Sequence, residues 1–185
     1  MLYNPREPQR DAVVRILYKL YNSQDKPLPV KDEDLHPPGE HGKGGEKRNV
    51  FKDTEMLYAV LFEFYKRLKD DPSIGPALHQ SDMCIQFVYQ NPSAVITIDA
   101  RTDGLKIYKG EFDSAADVTM TMDADFAHKF WHGKANLVSA LTRRQVKARG
   151  NVPQTMKLLP ILKPAYKLYP RFLRDNGFTH LVMGS

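Results

Sequence analysis

The chain has 185 residues, 42% of them apolar and 26% charged, which suits one domain of ordinary size that buries its core without a staple. Its single cysteine, Cys84, excludes an intramolecular disulfide and a cysteine-based zinc site, and fits a reducing compartment. The opening residues carry no signal-like apolar core, no apolar run approaches membrane-spanning length, and Val182-Met-Gly-Ser is neither a peroxisomal address nor a prenylation box, so a cytoplasmic protein is expected.

The net charge of +5 hides a division. Residues 1–125 hold 16 Lys/Arg against 21 Asp/Glu, whereas residues 126–174 hold 11 Lys/Arg and no acid. A stretch of that length without a carboxylate carries a positive potential. It reads as a solvated basic face, or as a surface for something anionic: a lipid headgroup, a ligand's carboxylate or phosphate, or nucleic acid.

In chain order, Asp11–Tyr21 places Val13, Val14, Leu17, Leu20 and Tyr21 at helical spacing. Residues 22–49 follow as a Pro/Gly-rich loop, so residues 1–49 form an N-terminal extension to a domain over 50–185. Residues 51–69 are the strongest helix, capped by Asp53 or Thr54, with a stripe of Met56, Leu57, Val60, Leu61, Phe64 and Leu68. Strands are expected over 83–90, 94–99 and 105–108, joined by turns short enough for an antiparallel meander. A fourth covers Asp117–Met122, where Val118, Met120 and Met122 alternate with threonines. Asp123 then opens a helix grouping Phe126, Phe130 and Trp131, which Gly133 ends. A small helix over about 135–142 and a fifth strand over 145–149 come next. Pro153 starts a further helix, and Pro160, Pro164 and Pro170 break the tail into short helical pieces.

Several motifs fail as chemistry. His128-Lys-Phe-Trp-His132 has chelating spacing, but Lys129 stands where a hydrolytic zinc motif needs Glu, and no third ligand is evident, so two surface histidines are expected. Gly39-Glu-His-Gly-Lys-Gly-Gly lacks the Lys-Ser/Thr pair that a phosphate loop places after its second glycine. Cys84 lies in a strand with no local base and reads as a buried structural thiol. No nucleophile elbow or acid pair appears, so the protein is not expected to be an enzyme, and no cofactor or metal is expected. The Met- and aromatic-rich residues of 118–162 suit plain core or an adaptable apolar pocket.

Residues 117–159 resemble the sterol carrier protein 2 (SCP2) sterol-transfer family. The matching pieces run in family order: Asp117-Val-Thr-Met-Thr-Met, Asp125-Phe126 opening a helix, Gly133-Lys134, a small helix, Val146-Lys-Ala-Arg-Gly150-Asn151, and Met156-Lys-Leu-Leu159. Over 50–162 the organisation also fits. Where the family opens its fifth strand with glycine, Arg144 stands here. The resemblance implies an α+β fold: a five-stranded, mostly antiparallel sheet covered on one face by helices. It implies an apolar tunnel between sheet and helices for a sterol, fatty acid, acyl-CoA or phospholipid, bound or transferred without covalent chemistry. Val118, Met120 and Met122 are the candidate lining on the sheet side. Phe126, Phe130, Trp131, Leu137, Leu141, Met156, Leu159 and Leu162 are the candidates on the helical side.

The basic segment is then suited to an anionic head at the tunnel mouth or to transient contact with an anionic membrane. Lys157, Lys163, Lys167, Arg171 and Arg174, interleaved with Tyr166, Tyr169 and Phe172, have the composition of an interfacial surface or of a packing segment. An accessory role presenting an apolar substrate to an enzyme of isoprenoid-quinone or fatty-acid metabolism is the alternative. Nucleic acid is not an expected partner, because no recognised reading motif is visible.

Overall fold

The computed structural model describes residues 49–184, so the helix expected over 11–21 and the loop after it lie outside the described residues. The long helix runs from Thr54 to Lys69 as α1 (Thr54–Leu57), a π-helical turn (Tyr58–Phe62) and α2 (Glu63–Lys69). Asp53 caps it: its carboxylate accepts the Met56 N–H at 2.8 Å, and that bond holds the carboxyl below its ordinary range. The expected stripe is core, with Leu57, Val60, Leu61, Phe64 and Leu68 all buried. A short helix α3 (Gly75–His79) follows that the sequence reading does not contain, since five residues are too few to show a period.

The strands are β1 (Cys84–Gln90), β2 (Ala94–Asp99), β3 (Lys106–Lys109), β4 (Val118–Asp123) and β5 (Val146–Gly150). They form one sheet in the order β3-β2-β1-β4-β5. The first three make the expected antiparallel meander, β4 and β5 pair antiparallel, and β1 and β4 are the parallel pair. The sheet is therefore mostly antiparallel and the fold α+β. Register puts Phe87, Ile96 and Met120 side by side, and Tyr89 beside Met122, so one face is apolar. The opposite face carries Thr119 and Thr121, half-buried, and Lys147 and Arg149, exposed.

Four helices follow or interrupt the last strands: α4 (Ala124–Trp131), α5 (Leu137–Thr142), α6 (Val152–Met156) and α7 (Ala165–Asp175). Asp123 and Asn136 cap α4 and α5 through the N–H groups of Asp125 and Ser139. Gly150 ends β5 at φ +94°, where an added Cβ would lie 2.0 Å from the Asp117 carbonyl oxygen, so no other residue fits there. The tail departs from expectation at Pro170, which sits inside α7 rather than ending it. Burial outweighs the lost hydrogen bond: Ala165, Tyr169 and Leu173 on the inner face are fully buried. The tail aromatics follow the packing alternative. Tyr169 lies 4.8 Å from Phe64, Phe172 lies 5.5 Å from Phe64, and Tyr166 lies 5.6 Å from Phe130, ring centre to ring centre. They pack α7 onto the domain while its basic residues face water. Among the described residues, no helix is long and apolar enough to cross a membrane.

Candidate functional site

An apolar cavity lies between the sheet and the helices. The sheet contributes Ile85 and Phe87 from β1, Ile98 from β2, and Met120 and Met122 from β4. The helices contribute Tyr65 and Leu68 from α2, Phe126, Phe130 and Trp131 from α4, Leu137 from α5 and Met156 from α6. Leu158, Leu159 and Leu162, in the turns between α6 and α7, complete the wall. Its polar side chains are few: the hydroxyls of Tyr65, Ser81 and Thr155 and the indole N–H of Trp131.

Of the residues named from sequence, the structure brings Met120, Met122, Phe126, Phe130, Trp131, Leu137, Met156, Leu159 and Leu162 to this wall. Two fall elsewhere. Val118 is fully buried opposite Ile85 and Gly150, at the start of β4, and is ordinary core. Leu141 lies four residues past Leu137, one helical turn farther along α5, where it is half-buried and off the wall. Among the lining residues that the reading missed are Tyr65 and Leu68 of the long helix and Met83, Ile85 and Phe87 of the first strand run. Their stripes were visible in the long helix and in β1, but nothing local tells a residue that borders a void from one that borders another side chain.

The void itself is about 60 Å³, taken as the space open to the centre of a water-sized sphere. One such sphere occupies roughly 10–15 Å³ of that space, so only a few fit. The structure thus holds a narrow cleft, short of the open tunnel that the resemblance implies. Three buried methionines border the cleft. Met120, Met122 and Met156 are 2%, 6% and 6% exposed, and an unbranched thioether side chain fills or vacates a gap by changing rotamer.

Around Tyr65 the packing is aromatic and the buried hydroxyls are paired. Tyr65 and Tyr89 share a hydrogen bond of 2.5 Å, and burial pushes the Tyr65 phenol up to about 12. Tyr65 stacks on Phe87 at 5.5 Å and meets Trp131 edge-on at 5.6 Å. Cys84 is fully buried and its thiol is raised to about 11, chiefly by burial and then by Asp99, so it stays protonated and inert.

The histidine pair corrects the surface reading. His128 is 2% exposed and its Nδ1 lies 2.9 Å from the Tyr169 hydroxyl. Burial, then the neighbouring His132, lowers it to about 4, so it is neutral at pH 7. His132 is half-buried, and its Nδ1 lies 2.9 Å from the His128 carbonyl oxygen, which can only accept. Nδ1 therefore carries the hydrogen, and Nε2 accepts the Met183 N–H at 3.2 Å. His128 thus meets Tyr169 on α7 and His132 meets the Met183 backbone beyond it, and among the described residues no group of three or more His, Cys, Asp or Glu is placed to hold a metal. On the other side of α4, Asp125 accepts the Val50 N–H at 2.8 Å and Phe51 meets the His128 ring edge-on.

Comparison with known proteins falls on the same segment. The sequence profile described as the SCP-2 sterol transfer family matches residues 62–163. The solved sterol carrier protein domain 2 of Helicoverpa armigera is 19% identical, with TM-score 0.50 over 69% of this chain and 96% of that one. Apo sterol carrier protein 2 from Yarrowia lipolytica is 21% identical, with TM-score 0.48 over 65% and 96%. Sterol carrier protein-2 from Aedes aegypti, solved in complex with palmitate, is 22% identical, with TM-score 0.41 over 58% and 94%.

Proposed function

This chain belongs to the SCP-2 sterol transfer family, and on that premise we propose that it binds and carries an apolar, lipid-type ligand in the cleft between α4 and the sheet, without covalent chemistry. The observation that carries the reading is the wall: sheet and helices, far apart in sequence, converge on one almost wholly apolar cavity. A single-chain lipid fits this chemistry best. Each methylene moved from water to the wall contributes about 0.8 kcal/mol, and four hydroxyl or N–H groups do not furnish a polar headgroup site within. The head then stays at the rim, where Lys157 and Lys163 stand exposed and an acid or phosphate is the matching charge. Sterol, fatty acid, acyl-CoA and phospholipid all have the apolar part; the cleft's present width favours the acyl chains.

Loading requires the wall to give. Leu159 and Leu162 are half-exposed and Met122 and Met156 line the void, so rotamer changes widen it without unmaking the sheet. The test is organic extraction of natively purified protein followed by mass spectrometry, with titration of a fluorescent fatty acid beside it. Co-purified lipid and micromolar binding are expected. Leu159→Glu, which puts a carboxylate on the wall, is expected to weaken binding at least about tenfold. No extracted lipid together with no binding of fatty acid or acyl-CoA would overturn the reading.

A further inference from the structure

Between α6 and α7 the chain reads Lys157-Leu-Leu-Pro-Ile-Leu-Lys-Pro164. It advances by turns: the N–H groups of Leu159, Ile161 and Lys163 reach back three residues, to the carbonyls of Met156, Leu158 and Pro160. The Leu162 N–H is shared between the carbonyls of Leu158 and Leu159, and Pro160 and Pro164 bring no donor, so the ladder stays broken. Leu158, Leu159 and Leu162 line the cavity and Ile161 does not. Leu159, Ile161 and Leu162 are half-exposed and Pro160 is exposed, so four consecutive apolar residues stand partly in water at the cavity's rim. Isolated apolar residues on a surface mean nothing; a contiguous tip beside a cavity does. Exposed Lys157 and Lys163 bracket it, and neither is within ion-pair distance of a carboxylate among the described residues.

The geometry points to this turn as the surface by which the domain seats on a bilayer carrying anionic headgroups. The Leu159–Leu162 tip enters the boundary between headgroups and acyl chains, and the two lysines meet lipid phosphates. The inference rests on the lipid-cargo reading for its purpose, though its test does not. With the rim in the bilayer, a chain passes from membrane to wall without crossing water, which removes an aqueous barrier worth about fourfold in transfer rate per methylene. An acidic peptide or a nucleic acid would engage only the lysines and leave the tip wet, whereas a membrane accounts for both charge and apolarity.

Full-length protein is floated with vesicles of phosphatidylcholine alone and of phosphatidylcholine with phosphatidylglycerol. Binding to the second only is expected. Lys157→Ala and Lys163→Ala are each expected to lower it about fivefold, and Ile161→Asp at least about tenfold. Ile161→Trp guards against a folding artefact: it is expected to bind more tightly, with indole emission shifting to the blue on the anionic vesicles. Wild-type affinity in both Ile161 variants overturns the proposal, as does equal binding to both vesicle types. So does a wild-type dimer that Ile161→Asp dissolves while vesicle binding stays unchanged, which would mean that the tip pairs two copies. Fluorescent fatty-acid titration without vesicles separates the two readings. If cargo binding is absent while the vesicle pattern holds, the cargo reading falls and docking stands; if cargo binds and the vesicle pattern fails, docking falls alone.

Discussion

The space between the helices and the sheet is packed in two ways. Under α7, flat rings lock together: Phe64 touches Trp131, Tyr169 and Phe172, and the nearby hydroxyls of Tyr65, Tyr89 and Tyr169 each meet a partner. Beyond Trp131 the lining turns to Met120, Met122, Met156 and the leucines of the 157–164 turn, and a void appears. Rings with two torsions and fixed hydrogen bonds specify one arrangement, while thioethers and a proline-broken turn tolerate several. The contrast teaches that this domain sets a ring-locked half beside a methionine- and leucine-lined half, and the second is the one that the proposed cargo role would use.

The largest effect should break that contrast if it is wrong. Phe64→Ala is expected to cost about 3–5 kcal/mol in denaturant unfolding, because the rings around it cannot collapse into the gap. Met122→Ala is expected near the low end of the core range, about 2 kcal/mol, because its surroundings already yield. Equal losses would show the two halves to be packed alike.

Acid should loosen the ring-locked half first. His128 has its folded pKa lowered to about 4 from 6.5, so the unfolded state takes up the proton more readily and stability falls as pH drops through that window. The sign follows because burial disfavours the charged ring, and His132 is lowered in the same direction by burial. The loss saturates below pH 4 at about 3 kcal/mol. Unfolding midpoints at pH 7 and pH 4.5 measure it, and His128→Gln should remove most of the slope.

Tyr89→Phe leaves the Tyr65 hydroxyl buried without its partner and is expected to cost about 1–3 kcal/mol, with fatty-acid affinity nearly unchanged because Tyr89 does not line the void. A larger change in affinity than in stability would move the Tyr pair into the methionine- and leucine-lined half. The smallest effect lies outside both. Arg144 adopts φ +61° before β5, where the family has glycine, so Arg144→Gly is expected to gain about 0.5–1 kcal/mol and to leave binding alone. Thermal unfolding against wild type is the measurement.

Much of the domain was legible along the chain. Period-two alternation in β4, the cap residues Asp53 and Asp123, and the stripe of the long helix are local patterns, and local sterics and hydrogen bonding decide them. The resemblance also named nine residues that stand on the cavity wall, all of them in the second half of the chain. What the chain alone could not tell was contact between distant elements. That His128 is drawn in to meet Tyr169 and His132 to meet the Met183 backbone, that Pro170 survives within α7, that Val118 is filled core while Tyr65 borders the void, and that the hollow is a narrow cleft all depend on which surface arrives opposite. Burial and van der Waals fit are properties of pairs of surfaces, and a single strand of sequence contains only one member of each pair.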